Sequence, residues 1–149
     1  MWTKKLGLIN YDATVVKELL ELMVLSKVDY TIFFRKLSDI PDQLSVLKES
    51  FYLPSSEQLD AQWDNWLQRW SERINSRGDL RVISESMQAI NPKYAWREWL
   101  ISPAYKKAEQ GEYSYIKELQ AVFCNPYKEQ SPEVQRKYDR LTPKKFFKA

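Results

Sequence analysis

Residues 55–78 read SSEQLDAQWDNWLQRWSERINSRG, and the fold class turns on this stretch. Leu59, Trp63, Trp66, Leu67, Trp70 and Ile74 recur at steps of four, three, one, three and four. That is the period of a helix burying one face, and not the alternation a strand would need. Ser55 with Gln58 matches a capping box, so the helix begins at Ser55 or Ser56. Gly78 suits the left-handed residue that ends it. Three indoles at helical spacing are expected to pack a core rather than to stack bases or hold a ligand.

The same logic carries outward in both directions. Asp12 caps a helix to about Ser26, with Val15, Val16, Leu19, Leu20, Leu22 and Met23 as a wide apolar stripe. Asp29 starts another, carrying Tyr30, Phe33, Phe34 and Leu37 and closed by Pro41, and a shorter helix holds Leu44 and Leu47 before Leu53-Pro54. Asp79 restarts a helix with Leu80, Ile83, Met87 and Ile90 facing inward.

Five of the seven prolines follow Asn, Ser or Thr: Asn91-Pro92, Ser102-Pro103, Asn125-Pro126, Ser131-Pro132 and Thr142-Pro143. Each pair reads as an N-cap followed by the first helical residue. For Asn91-Pro92 this predicts a buried helix with Tyr94, Trp96, Trp99 and Leu100. A continuous helix through Pro103 would lose a hydrogen bond and clash one turn back, which predicts a kink or restart. Gly111 stops the next piece, and Ser114 caps a helix with Ile116, Leu119, Val122 and Phe123 inward. The expectation is an all-α, irregular bundle of about seven or eight helices, several short. It occupies residues 1–127, followed by a loose basic tail over 128–149 with one or two short helices.

Composition narrows function by exclusion. With no histidine among 149 residues, Ser-His-Asp and Cys-His nucleophile systems and most zinc sites are ruled out. Three scattered glycines cannot form a phosphate loop. The lone Cys124 cannot form an internal disulfide and reads as a small buried hydrophobe. No apolar run approaches the roughly 18–20 residues that cross a bilayer, and the N-terminus lacks the apolar region of a secretory signal. The formal charge of +3 does not by itself point to nucleic acid, although residues 128–149 hold seven Lys or Arg against three acids.

Few side-chain patterns suggest chemistry. Ser45 with Lys48 and Ser114 with Lys117 match Ser-x-x-Lys but lack the companion motifs of the enzymes that use it. Asp39 with Asp42, and Asp60 with Asp64, read as surface groups or caps. No catalytic, cofactor-binding or metal-binding residue is therefore assigned.

Resemblance adds more. Asn91-Pro92-Lys93-Tyr94 followed by Arg97 and Leu100, then AEQGEYS at 108–114 around Gly111, and NPYKEQ at 125–130 with Asn125, Pro126 and Tyr127, resemble the C-terminal part of the selenoprotein O family. Lys5-Leu6-Gly7-Leu8 and the DYTIFFR of residues 29–35 look like that family's entry into the region. Two departures stand out. Pro103 replaces a helix former, and the chain lacks the Cys-x-x-Cys-like, Cys-x-x-Sec or Cys-x-x-Ser ending.

The resemblance implies a parent that is a kinase-like protein adenylyltransferase, using ATP and Mg²⁺ to transfer AMP to hydroxyl groups of protein substrates. No residue of that nucleotide site carries over onto this sequence, so the chain is expected to hold no cofactor. It is expected to be a non-catalytic helical module, a fragment of the larger protein, packed against the kinase-like core of the same polypeptide. The motif residues would then be structural, with Asn91 capping a helix and Arg97 pairing with an acid or carbonyl. Location would be intracellular, cytoplasmic if bacterial and mitochondrial if eukaryotic. The alternative is a free-standing binding module whose Lys144, Lys145 and Lys148, beside Phe146 and Phe147, engage an acidic partner, RNA or a membrane surface.

Overall fold

The computed structural model describes residues 1–95 and 97–143, the side chain of Glu98 excepted. Among these the regular structure is helical: α1 (Trp2–Lys5), α2 (Ala13–Ser26), α3 (Tyr30–Leu37), α4 (Leu44–Lys48), α5 (Glu57–Asn75), α6 (Leu80–Ile90), α7 (Glu98–Glu109), α8 (Ser114–Phe123) and α9 (Pro132–Tyr138). One isolated antiparallel bridge joins Val28 to Phe51. The all-α expectation holds. Packing divides the chain into two compact units, Met1–Asn91 and Pro92–Ala149.

In the first unit α5 is the axis. Its tryptophans are buried, and each indole N–H donates to a different segment. Trp63 reaches the Ser26 hydroxyl at 2.9 Å, Trp66 the Val15 carbonyl at 3.0 Å, and Trp70 the Leu6 carbonyl at 2.8 Å. The helix thus fixes both ends of α2 and the exit from α1, while each buried polar ring atom stays satisfied. The cap is Ser56, accepting from the Leu59 N–H at 3.2 Å, because the Ser55 hydroxyl donates to Asp60 instead.

Short side chains set the other helix starts. Asp12 accepts from the N–H groups of Thr14 and Val15, Asp29 from that of Ile32, and Asp79 from that of Arg81. On α6 only Ile83 and Met87 are buried, while Leu80 and Ile90 are each 39% exposed, contrary to expectation. The four-residue α1 that packs on α6 covers little more than one turn of it. Gly7 is required there: its φ is +68°, and a Cβ would lie 2.7 Å from the Met87 Sδ.

In the second unit, Tyr94, Trp99, Leu100, Ala104, Leu119, Val122 and Tyr138 form the core. Tyr138 comes from α9, so part of the expected loose tail is packed. Three of the Asn/Ser-Pro readings need correction. Asn91 ends α6, and α7 begins only at Glu98, with Arg97 in the cap position. Asn125-Pro126 sits in a turn, and α7 runs through Pro103 without a restart. Ser131-Pro132 does start a helix, with the Ser131 hydroxyl accepting from the Val134 N–H at 3.3 Å.

Ser114 is the first residue of α8 rather than its cap, a position held by Tyr113. Cys124 is exposed, not buried, because it lies beyond the stripe that buries Leu119 and Val122. The readings of Trp96 and of the Lys144–Lys148 tail fall outside the described residues.

Candidate functional site

Asn91 on one side and Lys93, Tyr94, Asn125 and Pro126 on the other fall into two polar centres, one in each unit, while Tyr127 is 46% exposed. The first is built on Asn91, which is fully buried at the end of α6. Its Oδ1 accepts from the Lys5 ammonium at 2.8 Å, and its Nδ2 donates to the Lys5 carbonyl and to the Ser38 hydroxyl, each at 3.0 Å. Arg35 donates to the carbonyls of Gln88 and Asn91, both at 3.1 Å, satisfying acceptors at the C-terminus of α6. Asn91 is therefore not a helix N-cap. Its amide ties α1, α3 and α6 together.

Lys5 is unusual in this centre. Its ammonium lies 4.6 Å from the Phe34 ring centroid and 5.1 Å from that of Tyr30, and no carboxylate pairs with it among the described residues. Burial lowers its pKa below the ordinary 10.5, since two ring faces and one amide oxygen replace water incompletely.

The second centre joins two motifs that are distant in sequence. The N–H groups of Lys93 and Tyr94 both donate to the Pro126 carbonyl, at 2.8 and 3.2 Å. The buried Lys93 ammonium pairs with Glu129, donates to Gln135 Oε1 at 3.1 Å, and lies 3.9 Å from Asp139. Gln130 donates to the carbonyls of Val122 and Asn125, closing the C-terminus of α8. These groups hold the 125–139 segment onto residues 93–94 and α8, and the Lys93 ammonium is met by two hydrogen-bond acceptors and a second carboxylate from that segment. Gly111 takes φ +87° at the end of α7, and Arg97 is half-buried at its start.

Beside this centre, Tyr138 is buried in the core of the second unit. Burial, then the Glu118 charge, pushes its pKa up to about 12 from 10.0. A raised pKa means that the folded chain keeps its proton where the unfolded chain has lost it. The associated stability is full below pH 10 and is lost as pH rises toward 12. Tyr138→Phe should therefore move the alkaline unfolding midpoint upward, read by circular dichroism alongside tyrosinate absorbance. An unchanged midpoint would rule the coupling out.

The other sequence candidates are occupied or separate. Lys48 pairs with Asp60 at 2.5 Å rather than with Ser45, and that hydrogen bond, aided by Ser55, lowers the Asp60 pKa. Asp39 accepts from Gln88 at 2.8 Å, and Ser114 donates to Glu112 rather than meeting Lys117. Among the described residues no three His, Cys, Asp or Glu side chains are grouped to hold a metal ion.

Lys5 and Arg35 stand in the family-like stretches with no role assigned to them, and sequence reading missed Ser38 and Gln135, which no local period marks. It also missed the outer side of α2. Leu20, Val24 and Leu25 are 39%, 79% and 56% exposed and line, with Glu21, an open depression of about 540 Å³. A cleft of about 250 Å³ adjoins it, where Glu18, Leu22 and Leu25 face Gln62, Asn65 and Arg69 of α5. The available signal was an apolar stripe wider than one buried face.

The motifs extend beyond this molecule. A family model described as protein adenylyltransferase SelO matches residues 1–123. The protein nucleotidyltransferase YdiU of Stutzerimonas stutzeri is 38% identical over 133 residues, covering 87% of this chain and 26% of that protein. Its namesake in Pseudomonas fluorescens strain SBW25 is 37% identical over 125 residues, covering 80% and 24%. That of Aromatoleum aromaticum is 34% identical over 126 residues, with the same shares of 80% and 24%. The chain thus spans about a quarter of the length of these curated relatives. No helix among the described residues is long and apolar enough to cross a membrane. With residues 1–123 matched and relatives of 34–38% identity covering 80–87% of it, the chain belongs to the protein adenylyltransferase SelO family.

Proposed function

We propose that this chain is a helical, non-catalytic module from the C-terminal part of a SelO-family adenylyltransferase. It packs in the parent against a kinase-like core that binds ATP and Mg²⁺ and transfers AMP to hydroxyl groups of protein substrates inside the cell. The observation that carries this reading is the internal commitment of the motif side chains. Asn91 is engaged by Lys5 and Ser38, and Lys93 by Glu129 and Gln135. A transfer site instead needs donors and carboxylates directed at a phosphate and its metal.

The described residues do not fit the ATP–Mg²⁺ group. They offer no cluster of metal-ligating side chains, and Asp60 is held by Lys48 and Ser55. The module's contribution is a set of rigid helices, with the chemistry assigned to the rest of the parent.

The test uses ATP labelled in its α-phosphate, Mg²⁺ and casein as a hydroxyl-bearing acceptor. The chain alone should transfer no label. Installed in place of the matched segment of the Stutzerimonas stutzeri relative, it should support transfer. Label transferred by the chain alone, or a folded but inactive chimera, would refute the proposal.

A further inference from the structure

α2 is apolar on more than the side it buries. Nine of its fourteen residues, ATVVKELLELMVLS, are apolar. Val15, Val16, Leu19, Leu22 and Met23 fill the first unit's core. On the outer side Thr14 and Lys17 are exposed in the first half, but Leu20, Val24 and Leu25 take over in the second. A helix that is hydrophobic around most of its circumference is characteristically enclosed on both sides. Among the described residues of the first unit nothing encloses that second side, and the apolar strip runs into the α2–α5 cleft, the form of a groove that receives a helix or a ridge.

Charge narrows the occupant. In the rim of the groove Glu18 is paired with Arg69, whereas Glu21 makes no ion pair among the described residues, the exposed Lys17 one turn before it lining the same outer side. An occupant that buries the leucines covers Glu21 with them, and a basic group on it would add to Lys17 in meeting that carboxylate. Meanwhile about three quarters of each relative lies outside the matched segment, which provides ample polypeptide for the role.

We propose that the outer face of α2, formed by Leu20, Glu21, Val24 and Leu25, is where the remaining polypeptide of the SelO-family parent seats. The contact is an apolar ridge carrying a basic side chain opposite Glu21. This rests on the module reading above, and names the surface through which the module is held.

The test replaces Val24 by the photo-crosslinker p-benzoylphenylalanine in the Stutzerimonas stutzeri chimera, with the outlying Arg81, 86% exposed, as the control position. Illumination should link Val24 to peptides from outside the installed segment within one molecule, at several-fold the yield from Arg81. Links between two molecules, or a yield no higher than the control, would overturn the assignment.

In the chain alone, a Val24→Gln, Leu25→Gln double variant, neutral and favourable to a helix, should melt where the unsubstituted chain does, since both side chains are largely exposed. A fall in melting temperature would show that they belong to the unit's own core, and would also overturn the assignment. AMP transfer by the unsubstituted chimera is read separately. An inactive chimera that still cross-links leaves the docking face standing while refuting the module's role, and an active one without cross-links does the reverse.

Discussion

Trp70→Ala should remove about 4 kcal/mol of stability, on the scale of truncating a fully buried aromatic ring. Trp70 has no exposed surface and stacks on Trp66 with 6.1 Å between centroids and 8° between planes. Its indole N–H is the donor to Leu6, so truncation opens a cavity and also strips a buried carbonyl of its partner. Trp70→Phe separates the two losses. It keeps most of the apolar volume and should cost about 1–2 kcal/mol, chiefly for the missing hydrogen bond. Against the roughly 5–15 kcal/mol available to a domain, the alanine variant should be largely unfolded in mild denaturant. Urea titration followed by circular dichroism measures both. A cost below about 1 kcal/mol for the alanine variant would mean that the stacked indoles do not anchor the unit.

Why this helix was readable from sequence, and other features were not, follows from the range of the interactions. The tryptophan stripe writes its own period, and Asp12, Asp29 and Asp79 satisfy N–H groups two or three residues away. Such local pairings survive in any fold that keeps the helix. Asn91-Pro92 has the same local grammar but a different outcome, because three distant polar atoms compete for the Asn91 amide. Pro126 likewise sits after an asparagine, yet its carbonyl serves Lys93 and Tyr94. Tertiary hydrogen bonds overrode propensity at both places.

Pro103 starts no new helix for a related reason. It cannot donate to the Trp99 carbonyl, but the flanking Leu100 and Ala104 are buried in the second unit's core, and that packing holds the helix. The candidate site was less legible still. Lys5 and Asn91 are 86 residues apart, and nothing in either neighbourhood announces the other. The exposed half of α2 was misread in part. Leu20 was assigned to the core because the pattern predicts a buried face but not how much of that face the module itself can cover.

Asn91→Leu should cost about 3–5 kcal/mol, because it leaves a buried cation without its acceptor. The leucine fills similar space, so the loss is polar. The Lys5 ammonium, the Lys5 carbonyl and the Ser38 hydroxyl each lose a partner among residues that are themselves buried. The source of the cost can be isolated by adding Lys5→Met, which removes the stranded charge while keeping an apolar stem over Tyr30 and Phe34. The double variant should recover more than half of the loss, a coupling of about 2 kcal/mol or more that additive contributions cannot produce.

The same pair predicts a pH response. Burial lowers the Lys5 pKa, so the folded chain releases this proton at a lower pH than the unfolded chain does. Stability should therefore rise with pH across the window below 10.5, and Lys5→Met should flatten that rise. Urea midpoints of the four proteins, taken at neutral pH and again near pH 10, read both effects. If the single-variant costs simply add, or if Lys5→Met leaves the pH slope unchanged, the ammonium is not the group that Asn91 exists to hold.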